Sequence, residues 1–118
     1  MAKIMVVDDA AFMRMRCTKV LQDNGYETLE AGNGVEAVKK YMESKPDGVL
    51  MDITMPDMDG IATLKRLVEI DSSVKVAMVT AMGQQSLVIE ALKLGARDFV
   101  VKPFNAERVL AAVKKITA

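Results

Sequence analysis

The 118-residue chain contains no histidine and no tryptophan, a single cysteine, three prolines and no excess of charge of either sign. Each shortage closes off a class of function. Without histidine there is no Ser-His-Asp or Cys-His catalytic set, no His-ligated zinc and no histidine phosphodonor. Cys17 alone can form neither an internal disulfide nor a cysteine-rich metal site, and it fits a reducing, cytoplasmic setting. Sixteen basic residues balance sixteen acidic ones, giving a formal net charge of +0. A nucleic-acid partner held by phosphate neutralisation is therefore not expected. No segment approaches the ~20 apolar residues that span a bilayer, so membrane insertion is not expected. The apolar run Ile4–Val7 is too short for a secretory h-region, which needs about 7–15 residues, and it stops at Asp8-Asp9. Aromatics are only 4% of the chain, which leaves ten methionines to supply core volume or adaptable contact surface.

What is present is an alternation. Short apolar runs occupy Ile4–Val7, Thr28–Ala31, Val49–Met51, Val74–Val79 and Phe99–Val101. The first, third and fourth are almost unbroken, as in parallel strands buried on both faces. Amphipathic segments lie between them. Ala10–Asn24 carries Met13, Cys17, Val20 and Leu21 on one face and stops at Gly25. Gly34–Ser44 carries Val35, Val38, Tyr41 and Met42. A third helix starts at Gly60 with Ile61, Leu64 and Val68 and fades at Asp71-Ser72-Ser73. A fourth presents Leu87, Val88, Ala91 and Leu92 and ends at Gly95. Asn105 is the expected N-cap of the last, which shows Val109, Leu110, Val113 and Ile116. Five strands alternating with five helices predict one α/β domain, residues 1–118, with a mainly parallel sheet and right-handed crossovers.

In open α/β sheets ligands bind beyond the carboxyl ends of the strands. The residues there are Asp8-Asp9, Gly32-Asn33, Asp52, Thr80 and Lys102. If the first and third strands are neighbours, Asp8, Asp9 and Asp52 converge. Their mutual repulsion is relieved by protonation or by a divalent cation, and all-oxygen ligands in a half-open site suit Mg²⁺. Lys102 supplies a compact positive charge for a phosphoryl oxygen, and Pro103 after it permits a cis peptide. The Thr80 hydroxyl can donate to a further phosphoryl oxygen, beside a small Ala81. A metal cradle, an attacking carboxylate, a fixed cation and a hydroxyl are the parts of phosphoryl transfer. Each also has a structural reading: Asp8-Asp9 as a helix-dipole partner, Thr80 as a strand-end hydroxyl, Lys102 as half of an ion pair.

These residues together resemble the response-regulator receiver family over essentially the whole chain. The resemblance rests on Val6-Val7-Asp8-Asp9, Met51 through Gly60, Thr80-Ala81, Gly95-Ala96 and Val101-Lys102-Pro103-Phe104. The stretches Ala11-Phe12-Met13-Arg14 and Ala81-Met82-Gly83-Gln84-Gln85 are most similar to stand-alone chemotaxis regulators of the CheY type. The resemblance implies a flavodoxin-like (βα)5 doubly wound parallel sheet in the order 2-1-3-4-5. It implies that Asp52 is the phosphoacceptor, charged from a phosphohistidine on a CheA-type histidine kinase. It makes Asp9, Asp52 and the Thr54 backbone carbonyl Mg²⁺ ligands, with Asp8 acting through water. It makes Thr80 and Lys102 the phosphoryl-sensing pair and Phe99 the aromatic switch, at a position where tyrosine is common. Met82, flanking the site, is expected either to shield an acyl phosphate or to pack against Thr54. The output is expected through the helix Gln84–Leu94, Phe99 and the last helix, toward a motor switch protein or an adaptor, with a phosphatase as a further partner. A monomer is the default. The expectation is a phosphoprotein of a two-component motility system that catalyses only its own phosphorylation and dephosphorylation. The alternatives are a phosphorelay intermediate, the excised receiver of a longer regulator and, from another class, a Mg²⁺-dependent phosphohydrolase with an aspartyl nucleophile. The last lacks the expected second aspartate at Thr54.

Overall fold

The computed structural model describes residues 2–55 and 58–118. Met1, at the edge of the expected domain, and the Pro56-Asp57 part of the motif lie outside the described residues. The elements run β1 Lys3–Val7, α1 Ala11–Asp23, β2 Glu27–Ala31, α2 Gly34–Ser44, β3 Gly48–Asp52, α3 Gly60–Ile70, β4 Val76–Ala81, α4 Gln85–Leu94, β5 Asp98–Lys102 and α5 Ala106–Thr117. The strands form one parallel sheet in the order β2-β1-β3-β4-β5.

Side-chain alternation along each strand divides the core in two. Met5, Val7, Val49, Met51, Val76 and Met78 face α2, α3 and α4. Ile4, Val6, Leu50, Ala77, Val79 and Val100 face α1 and α5. Both faces of β1, β3 and β4 are thus covered, which is why their sequences read as apolar runs. At the sheet edge, β2 exposes Glu27 and Glu30.

Helix boundaries follow from local chemistry. Asn33, Asp59 and Asn105 cap α2, α3 and α5 by accepting from the backbone N–H of Glu36, Ala62 and Arg108 at 2.8, 2.8 and 2.9 Å. Gly25 at φ 87° and Gly95 at φ 127° turn the chain after α1 and α4.

Two helix faces differ from the sequence expectation. In α2 the buried positions are Gly34, Ala37 and Tyr41, while Val35 and Met42 are exposed. At the start of α2 the approach is close: a Cβ on Gly34 would stand 2.2 Å from Thr63 Oγ1, so no side chain fits there between α2 and α3. In α4 Leu92 is likewise exposed. The fourth strand starts at Val76 rather than Val74 and runs to Ala81, which puts Thr80 inside the strand.

Candidate functional site: an acidic pocket at the carboxyl edge of the sheet

Because β1 and β3 are hydrogen-bonded neighbours, with Val7 beside Met51, the residues that follow come together. Carboxylate oxygens of Asp8, Asp9 and Asp52 lie within 4.8 Å of one another. Asp8 and Asp52 are buried and Asp9 is exposed, so the cluster opens to solvent on one side. Lys102, the last residue of β5, reaches across β4 into the same pocket. Its Nζ stands 3.5 Å from Asp8 Oδ2 and 3.6 Å from Asp52 Oδ1. The Lys102–Pro103 peptide is cis.

The electrostatics of the cluster are unbalanced. Burial is the main reason the Asp52 carboxyl is pushed up to about 6, with Asp8 and then Asp9 adding to the rise. Lys102 and the backbone amide of Thr54 oppose it without cancelling it. One lysine thus faces three acids, and the pocket holds a deficit of positive charge. An oxygen-only donor set with that deficit fits a hard divalent cation. Of the expected ligands, the three carboxylates are assembled, and Thr54 lies beside Asp52 through its amide.

Arg14 braces the pocket from α1. Its Nη1 donates to the Asp8 carbonyl at 2.6 Å and its Nε to Glu30 Oε1 at 3.2 Å. Asp8 Oδ1 also accepts from the Ala10 N–H at 2.9 Å, while the side chain at the N-cap position of α1, Ala10, makes no capping bond. Asp8 thus serves both the loop and the acidic cluster. Asn33 is spent on capping α2 and is not part of the pocket.

Thr80, 2% exposed at the end of β4, donates to Gln84 Oε1 at 2.7 Å. Phe99 is partly buried against the α2-α3-α4 side of the core and lines, with Thr80, a cleft of about 460 Å³ between α4 and β5. Met82, Ile89, Leu92 and Val101 surround that cleft as exposed apolar side chains. Met82, 80% exposed, neither buries itself nor fastens Thr54; the hydrogen bond to the Thr54 hydroxyl comes from Gln84 Nε2, at 2.8 Å. Met78, by contrast, is plain core.

Two contributors escape a reading by residue type. Arg14 sits on the first turns of α1, and its partner Glu30 is on another strand. Gln84 is aimed back at Thr80 by the turn at Gly83, φ 89°. A glycine three residues after Thr80 is the only trace of that turn in the sequence.

The family model described as Response regulator receiver domain matches residues 4–114. The chemotaxis protein CheY of Bacillus subtilis is 56% identical over 114 residues, covering 96% of this chain and 95% of that protein. CheY of Thermotoga maritima is 53% identical over 116 residues, covering 98% and 97%. Among solved structures, the CheX–CheY–BeF3–Mg complex of Borrelia burgdorferi superposes with a TM-score of 0.94 at 36% identity, over 99% of this chain and 90% of that one.

Proposed function

This chain belongs to the response regulator receiver family, in its CheY type, and on that premise we propose that it accepts a phosphoryl group on Asp52 and relays the event to a motility apparatus through its α4–β5 face. The observation that carries the reading is the meeting of Asp8, Asp9, Asp52 and Lys102 in one pocket built from three strands.

Asp52 is a buried acid whose Oδ1 lies 3.6 Å from Lys102 Nζ, and an Oδ atom attacks phosphorus as the bond to the donor's imidazole nitrogen breaks. The chain has no histidine, so the donor belongs to a partner, a histidine kinase of the CheA type. Asp9, Asp52 and the Thr54 carbonyl would hold Mg²⁺, with Asp8 acting through water. A bound Mg²⁺ supplies charge neutralisation for the phosphoryl oxygens and offsets the repulsion among the acids. The neighbouring Borrelia complex contains CheY with Mg and BeF3, which supports this assignment. Lys102 orients and neutralises one phosphoryl oxygen, and the Thr80 hydroxyl donates to another. A phosphoryl group adds about −1.5 to −2 charges at the carboxyl end of β3, beside Thr80. As Thr80 is drawn toward it, Phe99 shifts in the shared cleft, and the apolar rim of Met82, Ile89, Leu92 and Val101 changes shape for a motor switch protein or adaptor. The same Borrelia complex pairs CheY with CheX, which supports a phosphatase-type partner for this chain. The proposed messenger is cytoplasmic and monomeric; no helix among the described residues is long and apolar enough to cross a membrane.

Incubation with acetyl phosphate and Mg²⁺, followed by mapping of the modified residue, tests the reading. One phosphoryl group per chain on Asp52, absent from Asp52→Asn, is expected. Labelling elsewhere, or multiple turnover of a small phosphate ester, would overturn it.

A further inference from the structure

The bonding of Gln84 points to a second positioning residue for the phosphoryl response, one that acts before phosphorylation. Its carboxamide makes three hydrogen bonds. Oε1 accepts from the Thr80 hydroxyl at 2.7 Å and from the Ala81 N–H at 2.8 Å, and Nε2 donates to the Thr54 hydroxyl at 2.8 Å. One side chain therefore ties the end of β4 to the loop after β3. Gly83, at φ 89° with open space where a Cβ would be, makes the turn that returns Gln84 to the strand it has just left.

Thr80 has one hydroxyl proton to give. The residue is 2% exposed, and a hydroxyl buried to that degree requires a partner. Its alternative acceptor, the Ala81 carbonyl, is farther away at 3.2 Å. A phosphoryl group on Asp52 and the Gln84 carbonyl therefore compete for the same proton. We propose that Gln84 is the resting-state holder of Thr80, and that phosphorylation switches the protein by outbidding it. The direction of exchange follows from bond strength. A hydrogen bond to an anionic phosphoryl oxygen is about twice as strong as one to a neutral amide. With the anion absent, Gln84 keeps the hydroxyl; with the anion present, it loses it. The displaced carbonyl keeps its bond from Ala81 N–H, and Gln84 is partly exposed, so water replaces what is lost. This inference rests on the phosphoacceptor reading of Asp52.

A ligand that needs the Thr80 hydroxyl must work against the holder, so removing the holder strengthens binding. The test is calorimetric titration of the full chain with beryllium fluoride at saturating Mg²⁺. Gln84→Ala, and the near-isosteric Gln84→Met as a check against loop collapse, should each bind about three- to tenfold more tightly than wild type. The gain should vanish when the same changes are made on Thr80→Ala, which has no hydroxyl to release. A merely structural role would weaken binding or leave it unmoved. Unchanged or weaker affinity in both Gln84 variants, or an equal gain without the Thr80 hydroxyl, overturns the holder while leaving the phosphoacceptor intact. Absence of both beryllium fluoride binding and Asp52 labelling in the wild type takes down the underlying reading, and the holder with it.

Discussion

Asp52 is held in conflict with its surroundings. Burial and two neighbouring acids lift its carboxyl to about 6, above the 3.8 of the free group. The folded chain therefore grips the Asp52 proton more tightly than the unfolded chain does. By linkage, stability falls as pH rises from about 4 to about 6 and stays lowered above that window. Asp52→Asn removes the conflict. In metal-free buffer at pH 7.5 the variant should be more stable than wild type by roughly 1–2 kcal/mol, a figure reduced for the solvent that reaches the pocket mouth. Below pH 4 the difference should close. Urea unfolding at both pH values measures it, and equal stability at pH 7.5 would deny the conflict. Lys102 pulls the other way. Replacing it with Ala leaves Asp52 without its cation, so the Asp52 titration followed by carboxyl NMR in the metal-free protein should move upward from about 6. Lys102→Ala should also still bind Mg²⁺ while losing the link between phosphorylation and output. A fully responsive variant would reduce the lysine to a structural ion pair.

At the scale of elements, the pocket depends on a close crossing. A Cβ on Gly60, the first residue of α3, would meet the Asp52 carbonyl at 2.2 Å and Ile53 Cα at 2.7 Å. These are backbone atoms with no side chain to swing aside. Gly60→Ala should therefore cost about 2–4 kcal/mol and displace the Asp52–Thr54 loop, seen as a lowered melting temperature together with weakened Mg²⁺ binding. A variant with wild-type stability and metal affinity would show that α3 can back away from β3. Gly34 plays the matching part between α2 and α3. Along α2 apolar identity misleads, because the buried positions are Gly34, Ala37 and Tyr41 while Val35 and Met42 are exposed. Asn105, in contrast, was readable as a cap because its partner Arg108 is three residues away and the interaction is local.

For the molecule as a whole, Mg²⁺ binding at the acidic cluster, as proposed above, would couple metal to folding. The carboxylates come from β1 and β3, which are far apart in the chain, so the unfolded state offers no equivalent site. Mg²⁺ at a hundred times its dissociation constant should stabilise the fold by about 2.7 kcal/mol, raising the melting temperature by roughly 10 °C. The rise should shrink on acidification through pH 6 as Asp52 takes up its proton, and it should largely disappear in Asp9→Asn. Thermal melts with and without MgCl₂ at several pH values decide this, and a shift that survives in Asp9→Asn would move the ion elsewhere.

The alternation of apolar runs and amphipathic segments, and the polar residues at the strand ends, could be read from the chain because both are consequences of neighbours in sequence. Strand burial shows as consecutive apolar residues, and helix faces and caps show at spacings of three and four. The receiver motifs carried the reading further, to Asp52, Thr80, Lys102 and the order of the strands. What remained hidden were the relations between segments far apart in the chain. The Arg14–Glu30 brace, the Gly34–Thr63 seam and the Gln84 bridge from Thr80 to Thr54 each join residues whose separation has no period. Local propensity is a property of a stretch of chain, whereas which side chain receives a particular proton depends on where the sheet and its loops bring distant atoms to rest.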